Sequence, residues 1–493
     1  MKKIFTYKYI GVFLFVITLS ACNSFLDELP DNRTEIDSAE KIQELLVSAY
    51  PDGLYMGIAE AMSDNVADKI TINDINRVND RAYHWEDNLD ITRDTPTFYW
   101  NAVYKAIASA NQALESVTLL ENKTNLDYLR GEALVARAYG HFMLAMLWCK
   151  AYNPATASSD MGLPYVTIAE KKVFGNYKRI SLQEYYALIQ KDLEEGIPLI
   201  DNNKYKQPKF HFTKEAAHGF ATRFYLMKGD WNKVIEHANE VFSTTNASQF
   251  LRDINAFKPL TYAQKETNYA SSSERANLLI VGASSLYGRS SLYVPKYGMT
   301  AEIQNKLYSS SFHPQGLSWS YSIYGQDGYL NLPKCIEYFK YTNLAAKEGY
   351  PYAMMTLLST DEVFLNRIEA NIMLGNYSEA LSDLNTYLPL KTLTTMTPLT
   401  ENNIDTKYTG KGVDFNPNYT LDDKQRVWLQ CVIDLRQVEF YHEGIRWFDN
   451  KRLGMKITHT SSRGTFELTK DDPRRELQIP QDAISNGIIQ NPR

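Results

Sequence analysis

Apolar residues recur at helical spacing in one stretch of the chain, and the same arrangement returns further on. The first set consists of Trp231, Val234, Ile235, Ala238, Val241 and Phe242. A spacing of three and four residues places such side chains on one face of a helix. The second set consists of Tyr377, Ala380, Leu381, Leu384, Tyr387 and Leu388. We therefore predict two amphipathic helices, each with its first aromatic residue, Trp231 or Tyr377, in the core.

A glycine turn precedes each set, and an earlier apolar stripe precedes each turn. The turns are Gly229-Asp230 and Gly375-Asn376. The earlier stripes are Ala216, Phe220 and Phe224 in one unit and Phe364, Ile368 and Ile372 in the other. Helix, glycine turn and helix resemble a tetratricopeptide repeat, whose helix pairs must stack on one another to bury both stripes. Two unrelated hairpins are the alternative, and the matched glycine turns argue against it.

Helical spacing predicts further helices on either side of two long regions that lack it. The predicted helices cover residues 38–50, 98–117, 125–150, 181–197 and 423–441. Residues 51–97 and 246–352 show no helical periodicity, and residues 392–419 read as a polar loop. We interpret the two long regions as irregular excursions, which are usually functional or disordered.

The beginning of the chain reads as a targeting segment. A short basic stretch precedes an apolar run from Ile10 to Leu19 that is too short for a comfortable membrane-spanning helix. The run ends in Leu19-Ser20-Ala21-Cys22, which is typical of a bacterial lipoprotein signal, and we predict lipidation of Cys22. The predicted segments are a signal peptide over 1–21, a tether over 22–36 and a single folded domain over 37–493. An ordinary secretory signal is the alternative.

Composition and charge argue against several classes of protein. The 493-residue chain has a net charge of −6 and no basic stripe, which argues against nucleic-acid binding. Its four cysteines lack paired spacing, which argues against a zinc site or a disulfide framework. Tyrosine is common, at 34 residues, and its flat ring and hydroxyl suit contact surfaces.

Several short motifs follow one another in a characteristic order. They are Phe25-Leu26-Asp27 after Cys22, Trp100-Asn101-Ala102-Val103-Tyr104, Gly131-Glu132-Ala133, Gly162-Leu163-Pro164, Asp361-Glu362-Val363-Phe364-Leu365, Glu443-Gly444-Ile445-Arg446-Trp447-Phe448-Asp449 and Gln490-Asn491-Pro492. In this order, and with the lipoprotein signal, they resemble the SusD/RagB family of Bacteroidetes surface lipoproteins. One departure is Leu477-Gln478, where the family usually has a proline before Ile479-Pro480.

The resemblance implies both a fold and a role. The fold is mainly α, with tetratricopeptide-like helix pairs in a right-handed superhelical scaffold and long irregular excursions. The role is that of an outer-membrane lipoprotein, facing the cell exterior, which binds an oligosaccharide or polysaccharide for nutrient uptake. The implied partner is a SusC-like TonB-dependent transporter. A peptide-binding member of the same family and a tetratricopeptide adaptor for proteins are the alternatives.

Sequence signals for catalysis and for cofactors are missing. The chain contains no HExxH, GxSxG, GxxxxGK[ST] or glycine-rich dinucleotide motif. We expect no enzyme, no catalytic residue, no metal and no cofactor. Two charged groups, Glu132 with Arg137 and Glu439 with Glu443, Arg436 and Arg446, are interpreted as structural ion pairs at helix ends. The Asp-rich stretch 64–94 lacks the glycine and the spacing of an EF-hand, so calcium there is an unsupported alternative.

Aromatic residues in the two irregular regions are the stronger functional signal. Flat rings can cover the apolar faces of sugars while their hydroxyls bond to polar neighbours. The candidate ligand-binding residues are Arg81, Trp85, Tyr287, Tyr293, Trp319, Tyr321 and Tyr324. By their position relative to the family's ligand face, we expect Trp85 and Trp319 to lie on one exposed surface. The alternative is that these aromatics fill loops against the helices.

Overall fold

The secondary structure is mainly helical. The computed structural model describes residues 36–69, 77–120, 125–169, 177–242, 246–289, 296–325 and 329–493. Within these ranges, residues Ala39–Arg493 contact one another as one unit. The predicted signal peptide, Cys22 and nearly all of the tether lie outside the described residues. No helix in these ranges combines the length and the apolar character needed to cross a membrane.

Seventeen α-helices and seven short strands can be numbered in chain order within the described residues. The helices are α1 (Ala39–Leu46), α2 (Met56–Met62), α3 (Arg77–Tyr83), α4 (Pro96–Leu120), α5 (Asp127–Trp148), α6 (Leu182–Gly196), α7 (Lys214–Lys228), α8 (Trp231–Val241), α9 (Ile254–Phe257), α10 (Tyr262–Tyr269), α11 (Ala301–Leu307), α12 (Thr360–Met373), α13 (Tyr377–Tyr387), α14 (Glu401–Tyr408), α15 (Asp423–Glu439), α16 (Ile445–Arg452) and α17 (Gln481–Ser485). The strands are β1 (Ala67–Asp68), β2 (Asn277–Ser284), β3 (Tyr297–Gly298), β4 (Ile336–Asn343), β5 (Glu348–Ser359), β6 (Ile457–Ser461) and β7 (Gly464–Leu468).

The two predicted helical hairpins are confirmed as the pairs α7–α8 and α12–α13. Thr213 and Ser359 precede the first helix of each pair, and each side chain accepts a hydrogen bond from a backbone N–H of the first turn. Gly229 and Gly375 follow these helices with φ of +79° and +78°. Glycine adopts this left-handed conformation without the steric cost of a side chain. Helix α8 packs against α12, so one pair stacks on the other.

The first aromatic residues of α8 and α13 hold equivalent places at the edge of the core. The Trp231 ring meets Tyr419 edge-on with centroids 5.2 Å apart. The Tyr377 ring meets Trp428 in the same way at 5.0 Å. Trp428 is fully buried, but Trp231 and Tyr377 are only half-buried. The expectation that both are core residues is therefore wrong, because each ring lies over an aromatic side chain from the C-terminal part of the chain rather than between helices.

Buried ion pairs connect the helices. Arg223 on α7 lies 2.6 Å from Glu362 on α12. Asp449 on α16 accepts two arginines, Arg436 from α15 at 2.9 Å and Arg452 at 2.8 Å. All five side chains are buried. Removing one partner of such a pair leaves an uncompensated charge, so these contacts constrain how the helices pack.

Arg137 and Glu132 each have a buried partner, but they do not pair with each other. Arg137 on α5 binds Asp192 on α6 at 2.6 Å. Glu132 accepts a hydrogen bond from the Tyr50 hydroxyl at 2.7 Å and lies 2.8 Å from His211 Nδ1. The expected pairing is wrong because residues five apart on a helix do not share a face, whereas residues three or four apart do.

Much of the sequence expected to be irregular is regular. Helices α2 and α3 lie within residues 51–97, and α14 lies within 392–419. Helices α9 to α11 and strands β2 to β5 lie within 246–352 or extend just beyond it. Strands β2, β5 and β4 form an antiparallel sheet in that order. The expectation is wrong for these segments because the helices span only four to eight residues, too few to show a clear helical period, and the strands repeat every two residues.

The aspartates of the first region are held by separate partners. Asp64 accepts hydrogen bonds from Arg446 at 2.7 Å and from Asn450 at 2.9 Å. Asp80 accepts one from the Tyr297 hydroxyl at 2.8 Å. Across the ranges that the structure describes, no group of three or more His, Cys, Asp or Glu residues is placed to hold a metal ion. These contacts join residues 51–97 to α16 and β3.

We expect Asp64→Asn to lower the free energy of unfolding by about 2 kcal/mol at neutral pH. Burial alone would raise the pKa of Asp64, but Arg446 and Asn450 lower it from 3.8 to about 2. A folded-state pKa below the unfolded value stabilises the fold above about pH 4, and this contribution disappears as the pH falls towards 2. Urea unfolding of wild type and variant between pH 7 and pH 3 measures the difference. A difference that does not shrink below pH 4 would contradict this account.

Candidate ligand-binding site

Four aromatic rings form a column between α3 and the β6–β7 hairpin. Tyr83 stacks on Tyr297 and on His459, with ring centroids 4.0 Å apart in each case. Two rings can approach a third this closely only on its opposite faces, so Tyr83 lies between them. Trp85 stacks on the free face of His459 at 4.4 Å, with an angle of 13° between the planes. The column therefore joins the loop before α4 to a hairpin near the end of the chain.

Trp85 is buried at the end of this column. Its side chain is 5% exposed, and its indole N–H donates to the Met62 carbonyl at 2.9 Å. The Arg474 guanidinium lies 5.7 Å from its ring centroid. Its φ of +52° is a left-handed conformation, which is costly for a large side chain and persists only where the surroundings enforce it. The neighbouring Arg81 is half-buried and donates through Nη1 to the Asp87 carbonyl at 2.8 Å.

Tyr287 and Trp319 are buried as well. Tyr287 is 1% exposed, and its hydroxyl donates to a backbone carbonyl at 2.7 Å. Trp319 is 6% exposed, its backbone pairs with Thr392, and its ring meets His313 edge-on at 4.5 Å. The expectation that Trp85 and Trp319 lie on one exposed surface is wrong, because residues remote in sequence cover both rings. Their ligand-binding roles, like that of Tyr287, remain predictions.

Tyr321 rests on a buried cluster of charges. Its hydroxyl donates to Glu439, which also accepts from the Tyr387 hydroxyl at 2.8 Å. Lys391 bridges Glu439 and Asp361, with 2.9 Å to each carboxylate. Burial raises the pKa of Asp361, whereas Lys391 holds the pKa of Glu439 below its usual range in spite of burial. The cluster fixes the half-buried Tyr321 ring from beneath.

A second buried pair adjoins this cluster. Lys334 donates to the Glu443 carboxylate at 2.8 Å and to the Glu439 carbonyl. The Tyr269 hydroxyl donates to the same Glu443 carboxylate at 2.6 Å. Glu439 and Glu443 thus belong to structural ion pairs, but their partners are lysines from other segments rather than the arginines of α15 and α16.

Tyr262 and Tyr324 form a half-exposed aromatic site, which we call the tyrosine site together with Lys265 and Asn331. The two rings meet edge-on, with centroids 5.0 Å apart. Asn331 exchanges two backbone hydrogen bonds with Tyr324, at 2.9 and 3.0 Å, and its side chain accepts from the Tyr262 hydroxyl at 2.8 Å. Lys265 Nζ lies 5.6 Å from the Tyr324 centroid. Both rings are half-buried, so the site is rigid and still open to a ligand.

Of the seven predicted ligand-binding residues, Tyr324 alone joins the tyrosine site. Trp319 and Tyr321 contact each other, with ring centroids 6.1 Å apart. Tyr293 lies outside the described residues. Arg81 lies on α3, and Trp85 follows in the loop before α4.

The sequence analysis missed Tyr262 and the aromatic residues of the β4–β5 hairpin. Tyr338, Phe339 and Tyr341 are 39%, 45% and 52% exposed. Aromatic runs on both sides of a short segment bounded by turn-forming residues are a hairpin signal, and the segment bounded by Asn343 and Gly349 carries it. Tyr262 gave no such signal, because its role depends on Tyr324 and Asn331 from another segment.

A charged cavity of about 190 Å³ lies elsewhere, beside the ends of α5 and α16. Lys451 lines it and donates to the carbonyls of Met146 and Cys149 at the end of α5. Burial lowers the pKa of Lys451 to about 8. Because this ammonium binds the end of a helix, we assign it a structural role.

Comparison with known proteins shows what the chain is similar to. Residues 24–226 match a SusD-like family model described as "starch-binding associating with outer membrane". The structure is similar to that of a SusD superfamily protein from Bacteroides thetaiotaomicron, with a TM-score of 0.66 and 18% identity, covering 92% of this chain and 100% of that chain. Residues 24–226 are therefore similar to the SusD-like family, and the chain has a SusD-like fold.

Other SusD-like structures agree with this assignment. A putative sugar binding protein from Bacteroides vulgatus is 19% identical, with a TM-score of 0.66 over 93% of this chain and 99% of that chain. A SusD-like carbohydrate binding protein from the same species is 16% identical, with a TM-score of 0.60 over 91% and 96%. At these identities the similarity shows the fold, and it confirms the predicted helical, tetratricopeptide-like class. A comparison with curated proteins gives no match.

We expect Trp85→Ala to lower the free energy of unfolding by about 3–5 kcal/mol, because the ring is buried in the aromatic column. Thermal denaturation measures the change. Arg81→Gln, on the adjoining helix α3 and half-buried, is the control and should melt close to wild type. A Trp85→Ala variant with an unchanged melting temperature would show that the column does not stabilise this SusD-like fold.

Proposed function

We propose that this SusD-like protein is a cell-surface lipoprotein that binds an oligosaccharide or polysaccharide and delivers it to a TonB-dependent outer-membrane transporter. The observation that carries glycan binding is the tyrosine site, where two half-open rings stand on a SusD-like fold. The description of the matching family and the names of similar solved structures, which refer to starch, sugar or carbohydrate binding, support the ligand class.

The tyrosine site suits a sugar because its parts are fixed before a ligand arrives. Asn331 holds both segments through hydrogen bonds to Tyr262 and to the Tyr324 backbone. A ring that is already ordered loses little conformational entropy on binding, so most of its contact area contributes to affinity. The rings cover apolar C–H faces, and neighbouring polar groups bond to hydroxyls.

Binding without turnover is part of the proposal. The carboxylates beneath Tyr321 are bonded to lysine and tyrosine, so they support the loop instead of facing a substrate. A glycosidase needs one carboxylic acid that donates a proton and a second carboxylate at a set distance. Glu439 and Asp361 are both held by Lys391, which favours a structural role for them.

The lipid anchor and the transporter are the other parts of the proposal. Leu19-Ser20-Ala21-Cys22 supports lipidation, and the family description supports association with the outer membrane. The several acyl chains of a bacterial lipoprotein hold a protein firmly, whereas a single chain holds it only marginally. A transporter beside the anchored protein would receive the ligand that the tyrosine site has captured.

Replacing both rings, in Tyr262→Ala/Tyr324→Ala, should weaken glycan binding by about thirtyfold or more, since truncating an aromatic anchor typically costs about 2 kcal/mol. A panel of polysaccharides first identifies a retained glycan, and calorimetric titration then compares wild type with the variant. Tyr128→Ala is a matched control, because Tyr128 is also half-buried and has a lysine ammonium 5.5 Å from its ring centroid.

The outcomes separate the candidate functions. Loss of binding in the double variant and normal binding in Tyr128→Ala would support the tyrosine site. Equal affinity in all three proteins would place the ligand elsewhere. Release of shorter sugars during incubation would instead indicate an enzyme, and retention of no glycan at all would favour a peptide or protein ligand.

Cys22→Ala should release the protein from membranes, because the helices that the structure describes include none able to span one. The measurement is fractionation of cells into soluble and membrane material, followed by a salt wash. Cys149→Ala is the control, since this cysteine is buried in the fold and should not affect localisation. Membrane retention of Cys22→Ala after the wash would disprove the anchor.

A further inference from the structure

Where β2 pairs with β5, the sheet of β2, β5 and β4 buries one face and leaves part of the other accessible. Side chains alternate between the two faces of a strand. The residues on the buried face include Val281, Ala283, Ala353 and Met355. On the other face, Gly282 is exposed and Met354 is only half-buried. The register pairs these two residues across the sheet, so they mark a surface that solvent can reach.

The open sheet face can be defined by its rows. The register places Gly282 beside Met354, Tyr352 beside Tyr338, and Tyr350 beside Lys340, and Arg93 adjoins the last row from the loop before α4. Alternate residues of a strand are about 7 Å apart, so three rows extend over about 14 Å. A chain of sugar residues can lie along a surface of this length.

Gly282 keeps one end of the open sheet face flat. A Cβ atom at this position would lie 3.0 Å from Met354 Sδ and 3.5 Å from the Tyr352 ring. A larger side chain would therefore fill the space above both residues. Glycine leaves that space free.

The tyrosines of this face have unoccupied hydroxyls. Tyr338 and Tyr352 stack with centroids 5.4 Å apart and 23° between their planes. Among the described residues, the hydroxyls of Tyr338, Tyr350 and Tyr352 have no hydrogen-bond partner. By contrast, Tyr287 and Tyr321 donate to internal acceptors. The open sheet face thus offers both ring surface and free hydroxyls, which is the combination that binds sugars.

Two cations flank Tyr350 without an ion-pair partner in the described part of the chain. The guanidinium of Arg93 and the ammonium of Lys340 lie 5.5 and 5.8 Å from its ring centroid. Arg93 Nε donates to Ser284 Oγ at 2.6 Å, which orients the guanidinium and leaves both Nη atoms available. A guanidinium can hold a carboxylate with two parallel hydrogen bonds.

Nearby acidic groups are directed elsewhere, with one exception. Asp94 is bonded to the residues just after β2, and Asp52 accepts the backbone N–H of Ser284 at 2.7 Å. Glu348 is exposed at the start of β5 and, two residues from Tyr350, lies on the same face of that strand. Asp52 and Glu348 are both exposed, but Asp52 is bonded to the backbone of β2. The two cations at Tyr350 therefore favour an anionic ligand.

We propose that the open sheet face is a second glycan-binding surface that takes an acidic polysaccharide. A uronate carboxylate lies between Arg93 and Lys340, and the sugar rings lie on the tyrosines. The tyrosine site differs, because the ammonium of Lys265 donates to two backbone carbonyls and is not free for an anion. This inference rests on the proposed function, to which it adds a substrate class and a second surface.

Affinity electrophoresis of the full chain, purified from detergent-solubilised membranes, tests the proposal. Native gels contain polygalacturonate, its methyl ester or poly-L-glutamate. Wild type should be retarded most by polygalacturonate, and salt should weaken the effect because exposed charges are screened. The methyl ester, which lacks the charge, should retard the protein much less.

Two variants that each remove a cation, and a matched control, test whether Arg93 and Lys340 bind the anionic ligand. Arg93→Gln and Lys340→Gln should each weaken binding to polygalacturonate by about tenfold, the effect of a strong interface contact. Lys347→Gln removes the same charge from the turn of the same hairpin and should leave binding unchanged. Glu348→Gln should strengthen binding, since it removes an acid from the face.

A ring variant tests the tyrosines independently of charge. Tyr338→Ala/Tyr350→Ala should lose binding to both polygalacturonate and its methyl ester while keeping the wild-type melting temperature. Both rings are accessible, so truncating them removes few core contacts.

The contrary outcomes are distinct. Equal retardation of Lys340→Gln and Lys347→Gln by polygalacturonate would overturn the proposal. Equal retardation of wild type by poly-L-glutamate and by polygalacturonate would also overturn it, and would indicate an acidic peptide as the ligand. Retention of neutral glycans without retention of polygalacturonate would overturn this inference and leave the proposed function intact. Retention of no glycan of either kind would overturn both.

Discussion

Charge buried between helices must be paired, and the scaffold depends on this constraint. Helix α12 carries Glu362 and Glu369 about two turns apart, on one face. The first binds Arg223 of α7, and the second binds Arg452 of α16. Asp449 then joins Arg452 to α15. Because an unpaired buried charge costs about 3–5 kcal/mol, sliding or rotating α12 against its neighbours would be opposed at both ends. The repeats supply apolar stripes, and the ion pairs specify how the stripes fit together.

The same constraint reaches the loop that carries Tyr321. Asp361 lies in the first turn of α12 next to Glu362, and through Lys391 it is linked to Glu439 and the hydroxyl of Tyr321. A loop with few apolar contacts of its own is thereby attached to the most firmly packed helices. Sites built on such supported segments hold their geometry more closely than sites on free loops. The position of Tyr321 and the packing of the scaffold are therefore coupled through one set of carboxylates.

Sequence reasoning succeeded where the determining interactions are local. Gly229 and Gly375 mark their turns because a left-handed backbone conformation is a property of single residues. It failed where the determining partner is distant. From its residue type and its place in a polar stretch, Trp85 was expected to be exposed, yet His459 covers its ring. Arg137 could have paired with several acids, and the fold brings Asp192 to it. The open sheet face was not predicted, because β4 and β5 follow a two-residue alternation that gives no helical signal.

The aromatic column bears on the order in which the protein folds. Tyr83 and Trp85 come early in the chain, but His459, the ring between them, comes almost at its end. A chain emerging from its amino terminus therefore has Trp85 without its stacking partner, and Tyr83 with only Tyr297, until nearly all of it is present. Closing so long a loop is a slow step, since the entropy of closure is lost before the contact forms. The loop before α4 thus acquires its final shape only after the last hairpin arrives, and an incomplete chain cannot mimic the finished surface.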